Sequence, residues 1–227
     1  MSRLTRWIVF LRRHPSALLL AVQLAAMVLY PLVERTSVGR SALAIGGIAI
    51  LVVTTRLVRH TPFLTWISVV IALPATVLLV LQGWFGMRDL APWSAGLEAV
   101  FYFYAAGSCI AYMSSDWRAT TDELFAAAGT FTLLAWAFTY VFLLLQALQP
   151  GAYAAAVNAG SERTWTELMY LSFALLSSTG IGDVIPLTPL ARGVAAIEMF
   201  AGVMYITVVV SRLIAMTVVR GPPDHPA

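Results

Sequence analysis

Six stretches of this chain are apolar over lengths close to a membrane-crossing helix, at roughly 15–33, 40–58, 63–82, 96–114, 123–148 and 192–216. A helix rises about 1.5 Å per residue and needs about 20 apolar residues to cross the hydrocarbon layer. That constraint sets the expected fold class, an all-α membrane protein of six transmembrane helices with both termini on one side. The second stretch is the shortest, "SALAIGGIAILVVTT" between Arg40 and Arg56, and long arginines at both ends can snorkel to the interfaces. The stretch after Arg12 and Arg13 reads as a retained span, because it exceeds a secretory signal core of about 7–15 residues and further spans follow.

Composition agrees. The 227 residues are 60% hydrophobic and 11% charged, whereas a soluble domain carries about a quarter charged residues. All fourteen basic residues are arginines and most lie between the apolar stretches. The net charge of +3 therefore reads as membrane topology, since a nucleic-acid surface needs a continuous basic patch. Arg3, Arg6, Arg12, Arg13, Arg56, Arg59, Arg118, Arg212 and Arg220 fall on the side of the termini, and Arg35, Arg40, Arg88, Arg163 and Arg192 on the other. That excess places both termini in the cytoplasm.

Enzyme chemistry finds no footing. Cys109 is alone and lies in an apolar run, so neither an intrachain disulfide nor a cysteine metal cluster is expected. His14, His60 and His225 all lie outside the spans, which deprives an intramembrane serine–histidine or metal site of its parts. No organic cofactor is expected.

The departure from this pattern lies between the fifth and sixth stretches. Pro150 and Gly151 end the fifth helix, and "PGAYAAAVNAGSER" reads as an irregular outer loop. "TWTELMYLSFALLSST" then reads as a helix capped by Thr164, with Glu167 at capping-box spacing. It is too short to cross before Gly180 and Gly182. Pro186 and Pro189 forbid a continuing helix, and Arg192 opens the last span. A half-crossing helix followed by irregular chain is a re-entrant loop, tolerated at membrane depth only where it is buried in protein or lines a polar cavity.

"SSTGIGD", residues 177–183, spaces its glycines two apart. Glycine admits left-handed conformations that let successive carbonyls point the same way. Several such strands around an axis replace a cation's hydration shell. Ser178 can add a hydroxyl at the inner end, and the C-terminus of the short helix aims its partial negative charge at the same place. One hairpin supplies too few oxygens, so a closed homo-oligomer is implied.

"SFALLSSTGIGDVIPLTPLARGVAAIEMFAGVMYITVVVSRL" resembles the pore module of the tetrameric potassium channels, and is most similar to the bacterial ion-channel branch. The resemblance covers about residues 123–216. It implies a homotetramer of six-span subunits in a bacterial inner (plasma) membrane, passing potassium ions passively through filter carbonyls. The span count places a four-helix membrane region at 1–121 ahead of the pore domain at 122–216, and the short, proline-rich stretch 217–227 is expected to be a disordered tail. Within the pore domain, 123–148 is the outer helix, 164–177 the pore helix, 178–182 the selectivity filter and 192–216 the inner helix. Ser178 falls where the family usually has threonine, Thr179 where it has valine or isoleucine, and Ile181 where it usually has tyrosine. Gly180, Gly182 and Asp183 match unchanged. Ile181 lacks the family's tethering hydroxyl, and Tyr170 and Leu171 stand where a tryptophan pair is usual. A cuff of apolar packing is therefore implied, with a weakly selective cation pore as the alternative.

Other residues carry two readings each. Glu198 inside the last span either supports the filter from behind, protonated or hydrogen-bonded to Ser177, Thr179 or filter amides, or sits near the outer headgroups. Gly202 matches the family's hinge position, or permits close helix packing. Asp183 at the outer mouth concentrates cations, or bonds back to the pore helix. The fourth span, "LEAVFYFYAAGSCIAYM", has no basic residue, so charge-moving voltage gating is not expected; Glu98 there has no evident partner charge. "SSDWRATTDE", 114–123, reads as a polar linker with Trp117 as an interface anchor. A potassium-uptake subunit would carry four such hairpins and this chain has one. A non-conducting membrane scaffold is the remaining alternative. Lipids and identical subunits are the expected partners, and nucleic acid is not.

Overall fold

The computed structural model describes residues 14–33, 54, 65–114, 120–158 and 160–218. Its helices are α1 (Pro15–Val33), α2 (Thr65–Phe85), α3 (Ala91–Met113), α4 (Thr121–Leu148), α5 (Trp165–Leu176), α6 (Pro189–Met204) and α7 (Ser211–Val218). A π-helical segment, Tyr205–Val210, joins α6 to α7, and two short strands, β1 (Tyr153–Ala155) and β2 (Val184–Pro186), flank α5 in sequence. Among the described residues, four helices are long and apolar enough to cross a membrane: Pro15–Leu32, Trp66–Phe85, Thr121–Leu148 and Pro189–Met216. Helix α3 covers the fourth predicted span but is not among these four; Glu98, Ser108 and three tyrosines lower its hydropathy. The second predicted span, 40–58, lies outside the described residues save Thr54, as do Trp117 and most of the predicted tail.

Helix α4 is the hub, packing against α1, α3, α5 and α6. A helix with neighbours on several sides must be apolar around its circumference. Its threonines comply by returning their hydroxyls to the preceding turn: Thr130 to the Ala126 carbonyl (2.7 Å), Thr132 to Ala128 (3.1 Å) and Thr139 to Ala135 (2.7 Å). Thr120 and Glu123 close a capping box at its start. Asp122 in the same turn accepts from the Ser16 amide (3.2 Å) and hydroxyl (2.8 Å), satisfying the first turn of α1.

The main core gathers Leu19, Phe101, Tyr102, Leu133, Trp136 and Trp165. Glu98, buried in this region, hydrogen-bonds Tyr140 of α4. A second core of Phe142, Tyr153, Leu168, Leu171 and Val184 seals the other end of α4.

The segment from α4 to α6 departs from the sequence expectation in two places. Neither the stretch 150–163 nor the chain after α5 is irregular throughout: β1 pairs antiparallel with β2, Tyr153 opposite Pro186 and Ala155 opposite Val184. Pro186, which has no amide hydrogen to pair, falls at the end of the ladder. The final long helix also starts at Pro189, three residues before the predicted Arg192. Proline forbids a helix running through it but suits the first turn, and Thr188 caps that turn by accepting from the Ala191 amide at 3.3 Å. The same preference starts α3 early, with Pro92 in its first turn.

The capping box on α5 has the predicted partners. Glu167 accepts from the Thr164 amide at 2.8 Å, and Thr164 accepts from the Glu167 amide at 3.3 Å. The buried Arg163 just before it donates to the Val157, Asn158 and Ser161 carbonyls, while the Gln146 side chain pairs with both its backbone groups at 2.8 and 3.0 Å. Thr164→Ala is expected to cost about 1 kcal/mol, read as a lowered thermal midpoint in detergent, with Thr164→Ser close to the parent.

Candidate functional site

Helix α5 has 12 residues, about 18 Å at about 1.5 Å per residue, so it reaches roughly half-way along a membrane-length helix. It runs back along α4: its N-terminal end meets Gln146 through Arg163, and Ser172 further on meets the Ala135 carbonyl at 2.8 Å. After a loop at 177–183, β2 returns the chain to the end of α4. There the Leu187 amide donates to the Ala152 carbonyl (2.8 Å) and the Thr188 hydroxyl to Gln149 Oε1 (2.9 Å). The chain thus leaves and regains one end of the helix hub.

The end of α5 is closed by a Schellman motif. The Ser178 amide donates to the Leu175 carbonyl (3.0 Å) and the Thr179 amide to Ala174 (3.1 Å). Position C′ of that motif is left-handed, and Ser178 holds it at φ 57°, where glycine is usual because a side chain adds about 1–2 kcal/mol of strain. Gly180 is left-handed too, at φ 67°. Alternate residues thus reverse the backbone hand in the first half of the loop. The hydroxyls fold back on the helix end: Ser177 Oγ donates to the Phe173 carbonyl (2.6 Å) and lies 3.1 Å from Thr179 Oγ1.

Ser178 through Asp183 are all exposed on the single chain, with Ile181 at 69%. The Asp183 carbonyl accepts from the Ala156 amide at 3.1 Å, so the far end of the loop is anchored to the chain beside β1. Its side chain is exposed. Tyr170, expected beside the loop, is 46% exposed on α5.

Glu198 and Gly202 do meet α5. Glu198 is fully buried, and its Oε1 bonds Ser172 Oγ rather than Ser177, Thr179 or a loop amide. The physical reason is reach: four residues separate Glu198 from Gly202, and Gly202 already abuts Leu176, the last residue of α5. One helical turn back on each helix pairs Glu198 with Ser172. Sequence reasoning missed Ser172, although a hydroxyl in the middle of "LMYLSFALL" was the available signal. A Cβ on Gly202 would overlap the Leu176 carbonyl oxygen and stand 2.7 Å from its carbon and 2.9 Å from its Cα. In the structure this glycine permits close packing of α6 against the end of α5. The irregularity in this helix lies further on, in the π segment, where the Tyr205 hydroxyl donates to the Ala127 carbonyl at 2.6 Å.

Residues 129–219 match a family described as "Ion channel". The match takes in α5, the loop, α6, the π segment and most of α4, and spans less than half of the chain. It supports an ion-channel pore module, and with the long apolar helices it supports a multi-pass membrane protein. Comparison with curated proteins and with solved structures gave no match.

Gly202→Ala is expected to destabilise the protein by about 3 kcal/mol or more, because backbone cannot yield as a side chain can. Gly193→Ala, on the same helix with nothing within 4 Å, is expected to be neutral or stabilising by up to about 1 kcal/mol. Paired thermal melts in detergent check both.

Proposed function

We propose that this chain is one subunit of a homotetrameric potassium channel of a bacterial inner membrane. In this reading it spans the membrane six times with both termini cytoplasmic, and α5 with its loop re-enters from the outer side. The observation that carries the reading is the loop Ser178–Gly182. It is exposed on the single chain, alternates left-handed residues at 178 and 180, follows a half-length helix, and lies inside the matched ion-channel region.

Four copies converging on one axis would surround a cation with main-chain oxygens of Ser178, Thr179, Gly180, Ile181 and Gly182. Those oxygens stand in for hydration water, and ions in adjacent sites expel one another down the electrochemical gradient. The C-terminus of α5 adds partial negative charge from below, and Asp183 raises the cation concentration at the outer mouth. Glu198, Ser177 and Tyr170 support the loop from behind or beside it. Apolar side chains left exposed on α6, among them Ile197, Phe200 and Met204, supply surface for neighbouring subunits and lipid.

A weakly selective cation pore is the second reading, favoured by Ile181. At the position that a tethering hydroxyl would occupy, its side chain offers only packing.

Purified protein in liposomes tests both readings. Potassium flux blocked by barium is expected, with a reversal potential in mixed potassium and sodium that follows potassium. A reversal potential near zero in that mixture selects the weakly selective pore, and sealed vesicles with protein and no flux select a scaffold. Gly180→Ala has room for its methyl but not the conformation, at φ 67°. It is expected to lower flux about tenfold or more, from about 1–2 kcal/mol of left-handed strain in each copy.

A further inference from the structure

The contact between α5 and α6 contains a hydrogen-counting problem. Ser172 Oγ lies 2.8 Å from the Ala135 carbonyl oxygen of α4 and also bonds Glu198 Oε1 of α6. A serine hydroxyl carries one hydrogen, and a carbonyl carries none. The Ala135 oxygen also receives the Thr139 hydroxyl at 2.7 Å, but that hydrogen lies on the Thr139 side and cannot serve the Ser172 contact. The hydrogen between Ser172 and Ala135 is therefore Ser172's own. Nothing then remains to join Ser172 to Glu198 unless the carboxyl brings a hydrogen itself.

We infer that Glu198 is a neutral carboxylic acid that donates its proton to Ser172 Oγ, so that one directional chain, Glu198 to Ser172 to the Ala135 carbonyl, pins α6 and α5 to α4 and positions the loop that follows α5. Two further observations agree. Glu198 Oε2 is buried with no hydrogen-bond partner, tolerable for the carbonyl oxygen of a neutral acid and costly for an ionised carboxylate. No cation compensates a charge there: the ion pairs among the described residues are His14 with Asp122 and Arg163 with Glu167. Arg192, on the same helix, turns its Nε to the Pro186 carbonyl at 3.1 Å. Were Glu198 ionised and accepting from Ser172, two bare oxygens would face each other at 2.8 Å between Ser172 and Ala135.

The chain lies one turn above the Gly202–Leu176 contact, so α5 is fastened to α6 at two successive turns immediately before the loop begins. Glu198 is thus a positioning residue; it acts on the loop through Ser172 and α5. What that positioning serves rests on the channel reading, but the location of the proton does not.

Infrared spectroscopy of the full chain in lipid at neutral pH tests the proton directly. The wild type is expected to show a protonated-carboxyl stretching band, sensitive to deuterium, that Glu198→Gln lacks. The subtraction separates it from any band due to buried Glu98, and Ser172→Ala is expected to shift it upward by removing its acceptor. In liposomes, Glu198→Gln still offers an N–H to Ser172 and should keep potassium flux within about twofold, whereas Glu198→Ala should lower it roughly tenfold. Superimposable wild-type and Glu198→Gln spectra would overturn the inference, as would a glutamine variant no better than the alanine one. If no variant nor the wild type conducts, the channel reading fails while the infrared result still decides the proton.

Discussion

A helix that stops half-way along its neighbours creates the constraint on which the rest of this structure depends. Its last carbonyls have no further turn of helix to bond and must find partners in the chain that follows. The protein meets that demand locally. Backbone amides of Ser178, Thr179 and Gly180 turn back to Leu175 and Ala174, and the Ser177 hydroxyl takes the Phe173 carbonyl. The amides at the start of the loop are thereby tied to α5, and the β1–β2 pairing holds its far end. Everything around it (the Gly202 contact, the Ser172 chain, the Gln146 clasp on Arg163) fixes where α5 stops.

The parts of this arrangement that rest on neighbouring residues were legible in the sequence. Thr164 with Glu167 marked the start of α5 because a capping box is a matter of three-residue spacing. Pro150 with Gly151 marked the end of α4, which closes at Leu148. The boundaries that moved, at Pro189 and at Pro92, moved for one reason: a proline that breaks a helix from within is also a favoured way to begin one. The β1–β2 pairing was not legible. Its strands are three residues each, 31 positions apart at Tyr153 and Val184, and carry no alternation long enough to register.

Glu198 shows where the limit lies within the site itself. Its oddity as a carboxylate in an apolar helix could be read directly, and so could Gly202 one turn later. Their partners could not, because the pairing depends on how far α5 slides along α6. A shift by one turn would have brought Glu198 to Leu176 and the loop. The clash that only a glycine avoids sets that slide. Ser172 follows from it.

The same logic extends to the first helices. Trp165, the residue that opens α5, stacks on Tyr30 of α1 at 4.1 Å between centroids and meets Trp136 of α4 edge-on at 5.3 Å. Trp136 in turn meets Tyr102 of α3 at 5.7 Å, which stacks on Tyr140, the partner of Glu98. Rings in such contact transmit displacement because a packed interior compresses little. The N-terminal helices therefore bear on α5 at its first turn, and α6 bears on it at its last two. Both supports thus hold the helix from whose end the Ser178–Gly182 loop leaves.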